Sequence, residues 1–378
     1  MKNQKKYQFL KSFINDDKVV EELLDYTKSK FEKTEKSSFI KSDEPYINTW
    51  EKYKEESLIT GVFQTLKKYI VQFNFPVEQN ISSTEIYKNA TLRGKKEFPL
   101  EGIQLNNPEQ LDLTIYNSQL VGKVPVLMVP NPEDFKTIIR AICYKNEPQP
   151  MSDSMGAIFI KGINNWNRIE ELKEYWKTKS PFENWGSIFK KHVLPNPKLY
   201  KDKLIILSTK PYSGVKAKTV NVPENKWNDL SVSIRKEHEC AHVFTLNNYN
   251  SISKNIYDEL IADYAGIVST LQKFDKNWML NFLGLENYPK YREGGRFQNY
   301  LSDALSATAA NHLQYITVRA IDSIAKFDEN LGELTSTNDY VSRIKSLCET
   351  DLLTMAMDQG EEELLKNYHK QLEEELIQ

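Results

Sequence analysis

The chain has 378 residues, enough to bury a large core in one elaborate domain or in two closely packed ones. Its 50 basic and 52 acidic residues give a formal net charge of −2, which argues against a nucleic-acid partner or a polybasic membrane binder. The three cysteines are scattered and odd in number, which argues against a disulfide framework and favours a cytoplasmic, reducing compartment.

The sequence predicts neither a secretory signal nor a membrane span. Residues 1–6 are polar and basic, but no apolar segment long enough for a signal peptide follows them. No stretch approaches the roughly 18 apolar residues that a membrane-spanning helix requires. We therefore expect a protein that acts inside the cell without a membrane partner.

The first 226 residues are predicted to form a helical region followed by a mixed sheet. Residues 1–84 are predicted to be mainly helical, because apolar residues recur at helical spacing around 19–26 and 63–70. Short apolar or alternating runs then predict strands. The predicted strands are 111–116, 124–129, 157–160 and 204–207, and helices are predicted at 134–143 and 166–175.

Helices return from residue 227 to the end of the chain. One is predicted to begin near Asn228 or Asp229 and to end at Leu246, and a second to follow the cap residue Asn255. Further helices are predicted at 274–284, 300–326, 338–357 and 361–376. The fold class is thus α+β, with regions 1–84 (helical), 85–226 (mixed α/β sheet) and 227–378 (mainly helical).

The most informative motif, H-E-C-A-H, lies on the first of these helices. It has the form H-E-x-x-H, which places His238 and His242 one helical turn apart on the same face. That spacing lets both imidazoles reach a single Zn²⁺, with Glu239 at the edge of the same site. The motif therefore predicts a catalytic metal site.

The next helix carries two carboxylates beside small residues. Glu259, Ala262, Asp263 and Gly266 form a stripe next to the apolar face of this helix. Small residues allow close approach to the motif helix, so Glu259 becomes a candidate third ligand. Asp263, one turn further on, is a candidate partner for the free N–H of a ligand histidine.

These two helices resemble the gluzincins, the thermolysin-like zinc metallopeptidases. Their pattern is H-E-x-x-H, then a glutamate, then an aspartate four residues later, matched here by H-E-C-A-H and D-E-L-I-A-D. The resemblance implies a zincin-like fold, a divergent bacterial branch and Zn²⁺ bound by His238, His242 and Glu259. It also implies Glu239 as general base and Asp263 as the partner of His238.

The resemblance covers residues 230–272 and departs from the group at three points. Sixteen residues separate His242 from Glu259, whereas roughly eighteen or more is usual. Lys236 stands where the group normally has an uncharged residue, and Asp258 replaces an asparagine before the third ligand.

The resulting prediction is a zinc-dependent hydrolase of peptide or small amide substrates. Three protein ligands leave a fourth position on Zn²⁺ for water, whose pKa falls towards about 7. Glu239 would take the proton and later pass it to the leaving nitrogen.

Such an enzyme also needs a donor for the developing oxyanion. Downstream candidates are His312 on a helix and Tyr291 in the loop 288–296. Arg292 or Arg296 of this loop could bind a substrate carboxylate through two hydrogen bonds.

Two alternatives remain open from the sequence. Two histidines and one carboxylate also suit non-haem iron, although Glu239 then has no evident task. A non-catalytic metal-binding protein is the other alternative, although structural zinc usually has four protein ligands, often cysteines. The substrate and the oligomeric state are not predicted.

Overall fold

The computed structural model describes residues 2–29, 31, 43–99, 101–152, 155–252 and 255–376. The fold is mixed α/β, mainly helical with one small sheet, which confirms the predicted combination at this level. None of the helices in this described part is long and apolar enough to cross a membrane. The first helices are α1 (Lys2–Lys11), α2 (Asp17–Tyr26), α3 (Ile47–Thr60), α4 (Val62–Tyr69), α5 (Glu85–Arg93), α6 (Pro132–Cys143), α7 (Trp166–Lys179) and α8 (Trp185–Ile188). The later ones are α9 (Glu224–Tyr249), α10 (Ile256–Leu271), α11 (Lys276–Leu283), α12 (Ala307–Leu331), α13 (Thr337–Glu349), α14 (Leu352–Ala356) and α15 (Gly360–Leu376).

The sheet has four strands in the order β1-β2-β4-β3. They are β1 (Asp112–Ser118), β2 (Gly122–Met128), β3 (Ala157–Asn164) and β4 (Lys201–Leu207). β1 and β2 form an antiparallel hairpin, β2 pairs with β4 in parallel, and β3 pairs with β4 antiparallel. All four predicted strands are present. β3 continues beyond its predicted apolar run 157–160, and its pairing with β4 shifts in register between Ile160 and Ile163. The polar residues in this extension did not indicate a strand.

The chain forms two compact units. The sheet unit comprises Lys41–Ser118 and Gly122–Thr209, and the metal-motif unit comprises Met1–Ile40, Gln119–Val121 and Lys210–Gln378. The predicted regions 1–84, 85–226 and 227–378 do not coincide with these units. Apolar side chains of α1 and α2 are buried in the same core as those of α9 and α10, so the first helices join the metal-motif unit.

Several helix boundaries differ from the prediction for local reasons. α9 begins earlier, directly after Pro223, whose ring fixes a backbone angle suited to a helix start. α12 begins later, because the Ser306 side chain accepts from the backbone N–H of Ala309. The single helix predicted at 338–357 is two helices, and Asp351 caps the second. The predicted Asn255 cap is confirmed, since its side chain accepts from the Asp258 N–H.

The two helices that carry the motif approach each other most closely at Gly266. A Cβ atom built on this residue would lie 2.6 Å from the backbone oxygen of Ile234 on α9. Real Cβ atoms do not come this close to a backbone oxygen, so only glycine permits this spacing. The predicted close approach through small residues is therefore present, and it sets the distance between the two faces of the site.

We expect a Gly266→Ala substitution to push α10 away from α9. Overpacking of this kind costs about 1–3 kcal/mol of unfolding free energy, measurable by chemical denaturation. Ala262→Gly, on the same helix, is the control. It adds no atoms, so it should cost only about 1 kcal/mol through helix propensity. Equal stability of Gly266→Ala and the wild type would contradict this account of the helix contact.

Candidate metal centre

Three side chains from α9 and α10 converge on one point in the metal-motif unit. One ligand atom each from His238, His242 and Glu259 lies within 4.8 Å of the others, and all three residues are buried. The two histidine Nε2 atoms are 3.2 Å apart. The Glu259 carboxylate oxygens lie 3.5 Å from Nε2 of His238 and 3.7 Å from Nε2 of His242. The structure thus brings together the three residues predicted as ligands.

These separations fit a tetrahedral metal ion. Atoms about 2.0–2.2 Å from a tetrahedral Zn²⁺ lie about 3.3–3.6 Å from one another. The donor set, two imidazole nitrogens and a carboxylate, is one that zinc and several other transition metals accept. A cation at this point would also relieve the repulsion between three electron-rich atoms that face each other in a buried place. The residues therefore fit a divalent transition metal.

His238 is oriented by Asp263. Its Nδ1 lies 2.9 Å from a carboxylate oxygen of Asp263, from which we infer that Nδ1 carries the proton and that Nε2 is free to bind a metal. Burial opposes the charged imidazolium, but the hydrogen bond to Asp263 and the charge of Glu259 outweigh it and raise the pKa of His238. Asp263 thus has the orienting position predicted from its spacing after Glu259.

Asp263 is itself held by two residues. It forms an ion pair with Arg296, and it accepts a 2.7 Å hydrogen bond from the Tyr212 hydroxyl. Burial alone would raise the pKa of Asp263, but Arg296 and His238 hold it far below its usual range. The carboxylate therefore stays charged and fixed.

Sequence reasoning missed Tyr212. Its hydroxyl lies 2.8 Å from Nδ1 of His238, and the guanidinium of Arg296 lies over its ring at 5.0 Å. This tyrosine comes from the turn before α9 and has no motif spacing to either helix, so only the folded chain reveals its place.

Asp258 stands behind the second histidine. Its carboxylate is fully buried, and one oxygen lies 3.6 Å from Nδ1 of His242. The residue that departs from the gluzincin pattern thus places a negative charge near His242, at a longer distance than the hydrogen-bonded contact of Asp263 with His238. Each ligand histidine has a carboxylate on its far side.

Glu239 is buried between charged groups. Burial raises its pKa to about 7, while the charge of His238 lowers it and that of Glu259 raises it. Among the described residues, the Glu239 carboxylate takes part in no hydrogen bond or ion pair. It is therefore available to exchange a proton with a molecule in the site.

Arg296 also faces the third ligand. Its guanidinium lies 3.9 Å from a carboxylate oxygen of Glu259, so it connects Glu259 with Asp263. Tyr300, which the sequence did not single out, lies near the same carboxylates. Burial raises the pKa of its hydroxyl, the charge of Arg296 lowers it, and the charges of Glu259 and Asp263 raise it, so that the net shift is upward. The hydroxyl therefore stays protonated beside the Glu259 carboxylate.

The other predicted downstream residues lie elsewhere. The His312 ring packs beside Phe13, with ring centroids 5.8 Å apart. The Tyr291 hydroxyl donates to the Gly295 carbonyl, and Arg292 pairs with Glu286. Within the described part of the chain, no contact joins His312, Tyr291 or Arg292 to the three ligand residues. Of the candidates from residues 288–312, only Arg296 reaches the centre.

We expect Asp263→Asn to weaken metal affinity by about 10–100-fold. The amide keeps the shape of the carboxylate but loses the charge that makes His238 a stronger donor. Competition with a chromogenic chelator measures the effect. Asp229→Asn, at an exposed position of α9, should leave the affinity unchanged.

Glu259→Ala should weaken binding more than Asp263→Asn, because it deletes a donor atom. A larger loss in Asp263→Asn would exchange the two roles and make Asp263 the direct ligand. An unchanged affinity in Asp263→Asn would remove the orienting role altogether.

The family to which the chain belongs is shown by its sequence. Residues 8–359 match the family described as "Family of unknown function (DUF7005)", so the chain belongs to that family. No curated protein and no solved structure matches the chain. The residues of the site therefore carry what can be inferred about function.

Proposed function

We propose that this protein is a zinc-dependent hydrolase of peptide or amide bonds, with a zincin-like site of the gluzincin kind. One observation carries the proposal. His238, His242 and Glu259 converge with separations that suit a tetrahedral ion, and Glu239 lies beside them without another partner. Glu239 has no reason to be buried there unless it exchanges protons with a bound molecule.

The ligand residues would hold the ion through Nε2 of each histidine and the Glu259 carboxylate. A zinc ion in such a site acidifies water and polarises a carbonyl group. Glu239 would accept a proton at its carboxylate and return it to the leaving nitrogen. Asp263 keeps the His238 imidazole oriented through its hydrogen bond, and the Asp258 carboxylate lies 3.6 Å from Nδ1 of His242.

We propose that Arg296, which lies beside Glu259, stabilises the developing oxyanion. Arg296 is held beside Glu259 by its ion pair with Asp263, so its position is fixed before any substrate arrives. Arg296 therefore takes the place of His312 and Tyr291 in the proposed mechanism.

The proposal favours hydrolysis over the alternatives because of Glu239. A non-haem iron centre would use the same three ligands but would leave this buried carboxylate idle. A purely structural metal would usually have a fourth protein ligand, and the metal-ligating group found among the described residues has three members. We place the activity in the cytoplasm, since all three cysteines are free thiols.

A peptide library tests the proposal without knowledge of the natural substrate. Zinc-loaded protein is incubated with a mixture of cellular peptides and short acyl amides, and new termini are identified by mass spectrometry. We expect new amino termini that disappear when a chelator is added. Cleavage that persists without metal, or no cleavage of any member by the loaded protein, would contradict the proposed function.

A further inference from the structure

We propose that a helical hairpin in the sheet unit is a docking surface for anionic phospholipid bilayers. This basic hairpin comprises residues 175–198, which are the last turn of α7, the loop 180–184, α8 and the turn that follows α8. The proposal is independent of the metal centre, and it rests on the exposure, charge and packing of these residues.

The basic hairpin exposes large apolar side chains to water. Phe182, in its loop, is 102 % exposed, and Tyr175 and Leu194 are 51 % and 50 % exposed. The Phe182 side chain is not buried against the rest of the chain, so packing does not explain a phenylalanine at this position. Aromatic and leucine side chains of this kind enter the interface between headgroups and acyl chains.

Charge within the basic hairpin differs sharply from that of the whole chain. The segment contains five lysines and a single acidic residue, Glu183, whereas the complete chain has a net charge of −2. One of the five, Lys177, forms an ion pair with Glu174 just outside the segment. Lys190 and Lys191 are exposed, and neither forms an ion pair with another described residue. The balanced composition therefore conceals a local positive patch, which a negatively charged surface complements.

The hairpin is built so that these groups share one region. The Trp176 ring stacks on His192, with centroids 5.0 Å apart, so the end of α7 lies beside the turn that carries Lys190 and Lys191. That turn, Phe189–Val193, is a π-helical turn, a feature that often marks functional segments. Val193 and Ile169 are buried beneath it, so the exposed side chains lie on a packed support.

The composition favours a bilayer over a nucleic acid or an acidic protein. All basic residues of the hairpin other than His192 are lysines, which interact as point charges, whereas arginine provides the paired hydrogen bonds typical of phosphate-specific recognition. Phe182 could stack on a base, but the exposed aliphatic Leu194 gains nothing from a nucleic acid, and both side chains gain from entry into a lipid interface. Anionic lipid is therefore the occupant that uses both features.

Vesicle sedimentation with the full-length protein tests this proposal. Binding to phosphatidylserine-rich vesicles is compared with binding to pure phosphatidylcholine vesicles, at low salt and at about 0.5 M salt. We expect binding to the anionic vesicles alone, and its loss at the higher salt. Lys190→Glu combined with Lys191→Glu should weaken it by about 30-fold or more, and Phe182→Ser by about tenfold.

Matched controls come from the same unit. Lys95 and Lys96 form a second exposed lysine pair, and Leu92 is 66 % exposed. Lys95→Glu with Lys96→Glu, and Leu92→Ser, should bind vesicles much as the wild type does. Equal losses in hairpin and control variants would overturn the proposal, because they would indicate general charge attraction.

Two further results would also overturn it. One is failure of the wild type to bind anionic vesicles at low salt. The other is retention on single-stranded RNA or on an acidic protein column without vesicle binding, which would assign the patch to a macromolecular partner. Far-ultraviolet circular dichroism of each variant ensures that a loss of binding does not reflect unfolding.

Discussion

We expect Glu239→Gln to keep the fold and the metal and to lose hydrolytic turnover by several orders of magnitude. The substitution is nearly isosteric and changes no ligand atom, so metal content should stay at the wild-type value. It removes the group that accepts and returns the proton, in a site where burial raises the pKa of Glu239 to about 7. The measurement is the rate of release of new termini from the best peptide found in the library.

Glu224→Gln is the matched control for this variant. It makes the same chemical change at an exposed position in the first turn of α9. Its turnover should equal that of the wild type. Full activity in Glu239→Gln would remove the general base from the account and point to a different chemistry at the same centre.

We expect His238→Ala and His242→Ala each to abolish stoichiometric metal binding. The protein purified without added metal should contain about one Zn²⁺ per chain, and each variant should contain almost none. Both imidazoles contribute an Nε2 atom to the same point, and two protein donors hold an ion far more weakly than three. Elemental analysis by mass spectrometry measures the metal content.

His369→Ala, on the exposed face of α15, should retain full metal content. Far-ultraviolet circular dichroism of the metal-free forms separates a lost ligand from a damaged fold, because loss of a ligand alone leaves the secondary structure unchanged. Full metal content in both His238→Ala and His242→Ala would end the proposed metal site. Stoichiometric iron in the wild type would instead favour the non-haem iron alternative.

The predictable parts of this molecule are those that depend on neighbouring residues in the sequence. The H-E-x-x-H spacing places two imidazoles on one face of any helix, and Asn255 caps α10 through its own side chain. The close helix contact at Gly266 and the candidate ligand Glu259 could likewise be predicted from the stripe of small and acidic residues on α10 alone. The four strands could be predicted because each is a short apolar or alternating run.

The parts that were missed depend on contacts between distant segments. Tyr212 reaches Asp263 across 51 positions of the chain, and no spacing rule connects them. Residues 300–305 are apolar enough to resemble a helix, but Leu301 and Leu305 pack on the core in a non-helical segment before Ser306. The place of α1 and α2 in the metal-motif unit is likewise a matter of tertiary packing.

The most direct test of the central claim is anomalous X-ray diffraction from crystals of the protein purified without added metal. Data collected on both sides of the zinc absorption edge locate zinc and distinguish it from iron. We expect one peak about 2.0–2.2 Å from Nε2 of His238, Nε2 of His242 and the Glu259 carboxylate. A well-ordered centre with no anomalous peak, or a peak bound by other residues, would contradict the account.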